Sequence, residues 1–176
     1  MLEQDRYQRT VLYWASVGGH ENVAEELISR GADTSTTDEK GQTLLHLAVE
    51  NGSPQIVALL LSRGAVISAP DHRGNTALHL AAARGNQKIT NLLIGQGAEA
   101  SSGGRLGRTP LHLSAQLGYG EAIKLLVDGG ALVSAVDSAG RTARDLAEEK
   151  DIERAIKALD SELSTGYIYK GRLILL

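Results

Sequence analysis

A period of 33 residues governs this sequence and limits what it can fold into. Thr10, Thr43, Thr76, Thr109 and Thr142 fall one period apart, as do Leu27, Leu60, Leu93, Leu126 and Leu159. Gly31, Gly64, Gly97 and Gly130 keep the same step. With variations, each unit reads D-x-x-G-x-T-x-L-H-x-A-A-x-x-G, then an apolar stretch such as QIVALLLSRGA (55–65). So many columns holding register through five units of a 176-residue chain mean an array, in which each unit buries its apolar face against its neighbours.

The local chemistry of a unit predicts two short antiparallel helices and an extended finger. Thr109-Pro110 sets a capping hydroxyl before a residue suited to the first helical position, and Thr43 and Thr76 can cap without proline. Leu45 with Ala48 and Val49, or Leu78 with Ala81 and Ala82, supply one buried helical face. Gly52, Gly85 and Gly118 stand where that helix ends in a left-handed residue. Ser53-Pro54 opens a second helix, Ile56, Val57, Leu59, Leu60 and Leu61 form its apolar face, and Gly64 stops it. The stretch up to Gly74 carries turn residues and no helical pattern, as a finger would.

Composition agrees with thin layers. The chain has 20 Gly, one Trp and no Phe, so its interior is filled by Leu, Ile, Val and Ala. No Cys is present, which excludes disulfides, thiolate metal sites and cysteine nucleophiles. A net charge of −3 removes global attraction to nucleic acid or an anionic membrane. No run approaches the roughly 18 apolar residues of a spanning helix. MLEQDRYQRT (1–10) has no apolar core of a secretory signal, so an intracellular protein, cytoplasmic or nuclear, is expected.

The stretches TPLHLSAQLG (109–118), TALHLAAARG (76–85) and TLLHLAVENG (43–52) resemble the ankyrin repeat family, whose signature is a T-P-L-H-x-A unit. The resemblance runs from about Asp5 to Leu159. It implies an all-α solenoid with β-hairpin fingers, a curved stack of helix pairs with units at about 5–37, 38–70, 71–103, 104–136 and 137–160. The end units depart from the pattern. Unit one has Gln8 for the finger glycine and Tyr13-Trp14 for His-x, is less polar, and is expected to be covered by something beyond these residues. Unit five has Arg144 for Leu, Asp145 for His and no glycine at 151, a polar drift that reads as a cap.

Candidate chemistry is sparse. His46, His79 and His112 form one column, but layers about 10 Å apart cannot share a metal whose bonds are near 2 Å. Local packing and hydrogen bonding near the preceding Thr is the expectation, with no metal and no cofactor. SSGGRLGR (101–108) has the glycines of a phosphate loop without its Lys-Ser or Lys-Thr, and Gly104 replaces the Asp of other units, so a looser finger is expected. Ser35, Ser68, Ser101 and Ser134 occupy a column where family members often carry Asn, hydroxylated in some of them, so that modification is not expected here. No nucleophile–base–orienter set is visible; the alternative to a binding module is an enzyme on the solenoid, with a site in the concave groove or near the tail.

The resemblance places partner contacts on the finger tips and the exposed edge of the first helices. The residues so assigned are Arg6, Tyr7, Arg9, Lys40, Gln42, His72, Arg73 and Asn75 in the first three units. Arg84 at the third helix edge, Arg105, Leu106, Arg108, Gln116 and Leu117 in unit four, and Arg141 in unit five complete the set. The fifteen finger-tip positions, with Glu39, Ser138 and Ala139 included, hold seven Lys or Arg and one Glu, against 18 basic and 21 acidic residues in the chain. Basic fingers on an acidic body point to an acidic, or mixed acidic and apolar, protein segment as partner. Nucleic acid is not expected, because Tyr7 is the stripe's only aromatic. The tail, 161–176, leaves the period and alternates Tyr167, Ile168 and Tyr169 before an apolar end. Three readings stay open for it: a strand packing on the last repeat, the start of a truncated region, or a self-association segment.

Overall fold

The computed structural model of the chain describes residues 9–164, 168–169 and 172–173. Among the described residues, ten α-helices pair as the period demands: α1 (Val11–Gly18) with α2 (Glu21–Ser29), α3 (Leu44–Asn51) with α4 (Pro54–Ser62), and α5 (Ala77–Ala83) with α6 (Gln87–Gly95). The last pairs are α7 (Pro110–Leu117) with α8 (Gly120–Asp128) and α9 (Ala143–Glu149) with α10 (Glu153–Ser164). First helices stack on first helices and second on second, giving an all-α solenoid.

The short helices begin and end where the side chains dictate. Thr10 and Thr43 accept from the backbone three residues on, and Ser53 and Asn86 start α4 and α6 in the same way. The left-handed position after the first helix is glycine at Gly52, Gly85 and Gly118; in unit five Asp151 takes it at φ 53°, a conformation Asp tolerates better than most. Ala48, Ala81, Ala82, Ala115 and Ala147 are fully buried between adjacent first helices, where a larger side chain would force the layers apart.

The fingers between units are turns, not ladders. Among the described residues they carry two isolated antiparallel bridges, Thr37 with Thr43 and Val136 with Thr142, and the β-hairpin form is not developed beyond these. A carboxylate closes the turn instead. Oδ1 of Asp38 accepts from the Lys40 and Gln42 amides at 2.8 and 2.9 Å, and Asp71 and Asp137 repeat this on Arg73 with Asn75 and on Ala139 with Arg141. The finger with Gly104 still closes, Gly104 N–H donating to the Arg108 carbonyl at 2.8 Å. Without the carboxylate the tip bends differently: Leu106 sits at φ 60° and the Arg105 amide turns to Asn75 Oδ1 at 3.1 Å. Beyond α10, Ile168 pairs with Leu173 and Tyr169 with Arg172 in a two-residue antiparallel contact, β1 (Ile168–Tyr169) on β2 (Arg172–Leu173).

Burial along the columns separates the two ends. Leu44, Ala77, Pro110 and Ala143 are buried, as are Ile56, Ile89, Ala122 and Ala155. Their counterparts in unit one, Val11 and Val23, are 50% and 48% exposed, so these columns face the preceding unit. Other columns behave in reverse. Leu12, Leu45, Leu78 and Leu111 are buried, as are Ser16, Val49, Ala82 and Ala115, while unit five carries Arg144 and Glu148 at those positions. Arg144 Nε donates to Glu148 Oε1 at 2.8 Å, and the same guanidinium pairs with Asp160, which stands in the column of Ile28, Leu61, Ile94 and Val127. The C-terminal end is thus sealed by an ion network.

Candidate functional site

The finger row is held in place by the histidine column. In each middle unit Nδ1 accepts from the backbone amide of the capping threonine, at 3.1 Å for His46, 3.0 Å for His79 and 3.2 Å for His112. With Nδ1 accepting, Nε2 carries the proton and donates into the next unit: His46 to the Asn75 carbonyl at 3.0 Å, His79 to Arg108 at 3.1 Å, His112 to Arg141 at 2.9 Å. The local bond to threonine is the one expected from sequence; the second bond, which reaches 29 residues ahead, is not visible in any local motif. It fixes the backbone of Asn75, Arg108 and Arg141, three of the residues assigned to the binding row. Burial disfavours the imidazolium and pushes His79 and His112 below the ordinary histidine value.

In unit five Asp145 stands at the histidine position. Its Oδ2 accepts from the Thr142 amide at 2.7 Å and from the Thr142 hydroxyl at 2.8 Å, an arrangement that needs nothing beyond its own unit. Those bonds, from the backbone first, lower its pKa.

The basic residues of the row fall into two groups. Arg84 Nη2 reaches back one layer to Glu50 Oε1 at 3.2 Å. Arg108 donates to Gln116 Oε1 at 3.1 Å and approaches Asp137 Oδ2 at 3.5 Å. Arg141 holds the same Asp137 oxygen at 2.9 Å and Glu149 at 3.2 Å. The Asp137 side chain is buried at the meeting point, and the Arg141 guanidinium holds its carboxyl well below the usual range while its own pKa rises. This anchor does not stand out in the repeat pattern, where Asp137 looks like Asp38 and Asp71. The signal is in the spacing, because Arg141 lies four residues after Asp137 and one period after Arg108.

Lys40, Arg73 and Arg105 form the second group. They are exposed on three consecutive fingers, and their side chains make no ion pair among the described residues. His72 joins them at the surface. Its amide donates to the Lys40 carbonyl at 2.9 Å, and a Cβ on Gly41 would lie 2.4 Å from its ring. Leu106, at the tip of the fourth finger, is 57% exposed, and Leu117, at the end of α7, is 50% exposed. Gln42 is buried, and Asn75 is half-buried and spends Oδ1 on the Arg105 amide, so neither presents its polar group as the fingertip lysine and arginines do. Arg9 stacks over Trp14 at 4.5 Å from the ring centroid, and Tyr13 meets Trp14 edge-on at 5.3 Å. Arg6 and Tyr7 lie outside the described residues.

No helix among the described residues is long and apolar enough to cross a membrane. No curated protein sequence matches the chain. The family model for ankyrin repeats, three copies, matches residues 12–102 and 67–137. Such repeats generally mediate protein–protein interaction and are typically non-enzymatic. With the 33-residue period, the Thr–His capping boxes and the stacked helix pairs, that match makes this chain a member of the ankyrin repeat family.

Proposed function

We propose that the protein is a non-catalytic interaction module that captures an acidic, partly apolar segment of a partner protein along fingers two to four. One observation carries this reading: Lys40, Arg73 and Arg105 stand exposed and without ion pairs among the described residues, while Arg84, Arg108 and Arg141 are tied down by carboxylates or an amide. The tied arginines build the surface and the untied cations are free to take carboxylates from outside, Arg in bidentate fashion. Leu106 and Leu117 add an apolar contact next to Arg105, the position an anchoring side chain of the segment would fill. His72 extends the row. The working block is the array of units 5–37 to 137–160, with 161–176 as an appended tail, acting in the cytoplasm or nucleus.

The test is the triple variant Lys40→Glu, Arg73→Glu, Arg105→Glu. Partners recovered by affinity capture and identified by mass spectrometry should bind it more than tenfold more weakly, and binding to the parent chain should fall as salt rises. Because none of the three holds an ion pair among the described residues, the urea midpoint should stay where it is. Partners that bind the triple variant as tightly as the parent would overturn the reading.

A further inference from the structure

The open face of unit one has a definite counterpart within the molecule. In units two to five, the columns through Val11 and Val23 are covered by the helix pair of the preceding unit. The covering helices present leucine, alanine, valine and isoleucine: Leu12, Ala24 and Ile28 from unit one, Leu45, Val49 and Val57 from unit two. Unit one offers the same receiving chemistry to solvent, with Val11, Trp14 and Val23 each about half exposed. Terminal repeats normally carry a polar outer face, and the other end of this array has one in Arg144, Glu148 and Asp160. The apolar end therefore has the composition of an interior layer, not of a cap.

We propose that the α1–α2 face is a stacking surface for one more ankyrin-type helix pair, set ahead of unit one in the same array and in the register by which each later unit lies on its predecessor. Its occupant brings small and aliphatic side chains at the positions of Leu45, Val49 and Val57. A second copy arriving head to tail does not meet this description. It would bury Arg144, Glu148 and Asp160 against Val11 and Val23, with the cost that falls on buried charge.

Trp14, the chain's single tryptophan, follows Val11 by three residues on α1 and is 49% exposed, so its fluorescence responds when the Val11 face is covered. The 176-residue chain should be monomeric, with Trp14 emission at long wavelength and freely quenched by acrylamide. Joining a copy of residues 38–70 ahead of Asp5 should shift the emission to the blue, cut the quenching constant at least threefold and raise the urea midpoint. The same copy of residues 38–70 carrying Leu45→Arg and Val49→Glu, which keeps the 33-residue step but presents the charges of Arg144 and Glu148, should do neither. Equal effects from both copies, or none from the first, would overturn the proposal. So would a concentration-dependent dimer of the parent chain that already shields Trp14, which would assign the face to a second copy. Shielding in the parent chain that disappears on removing residues 1–8 would assign it to that segment and overturn the proposal equally.

Discussion

The two ends of the solenoid solve the same problem in opposite ways. At the C-terminal end, columns that are aliphatic in the interior become Arg144, Glu148 and Asp160, and Arg144 pairs with both carboxylates across the last layer. At the N-terminal end the interior residue types persist, and Val11, Trp14 and Val23 stay half exposed. A repeat array has no intrinsic stopping point, because each unit buries its face only by lending it to the next. What makes an end is the substitution of self-sufficient polar contacts for borrowed apolar ones. Asp145 shows this in miniature, satisfying its own threonine where each histidine of the middle units also needs the following finger.

The widest gap between interior and end should appear on cavity formation. Leu60 is fully buried between layers, and Leu60→Ala should cost about 2–5 kcal/mol. Leu27, its column mate in unit one, is only partly buried, and Leu27→Ala should cost less than half of that in the same urea titration. Comparable losses would mean that unit one is packed as tightly as the middle.

The sealed end can be converted into an open one. Replacing Arg144 by Leu, Glu148 by Ala and Asp160 by Leu restores the interior residue types on the outer face of unit five. Exposed ion pairs of this kind are each worth up to about 1 kcal/mol, so the triple variant should remain folded. It should also begin to self-associate, visible as concentration dependence in sedimentation velocity, since a polar terminal face is what keeps an array soluble. A monodisperse triple variant would show that the ion network is not the seal.

The smallest expected effect is in pH dependence. His79 and His112 have folded-state values below the ordinary 6.5, because burial penalises the charged ring. Below that ordinary value the unfolded chain binds protons that the folded chain resists, so stability is full above about pH 6.5 and declines as the pH falls toward the depressed folded values. Asp145 is also depressed, from 3.8, and its contribution is fully present above that pH and declines only below it. Between about pH 6 and 4.5 the interior should therefore weaken while the C-terminal unit keeps its cap. Urea midpoints at the two pH values should converge in the variant His79→Gln, His112→Gln and stay apart in Asp145→Ala. The opposite pattern would remove the histidines as the source.

The fold was almost wholly legible in the sequence, because a repeat declares its own contacts: a column of Thr caps, a column of buried Leu and a column of Gly fix each helix pair without reference to the rest of the chain. The same holds for the polar drift at unit five, which is written in Arg144 and Asp145. The candidate site was less legible. Composition marks the fingers as basic, yet it gives Arg105 and Arg108 the same weight. The difference between them is made by Asp137, Gln116 and the geometry of two adjacent layers.

What the sequence by itself determined is the period, the helix pairs and the charge sign of the row, all of which depend on residues near one another in the chain. What only the tertiary structure decided is which charges are committed. It also decided that each histidine binds 29 residues ahead and that Leu106 reaches a left-handed tip once the carboxylate at Gly104 is missing. Those outcomes depend on distances between layers, and a chain specifies its layers long before it reveals how closely they approach.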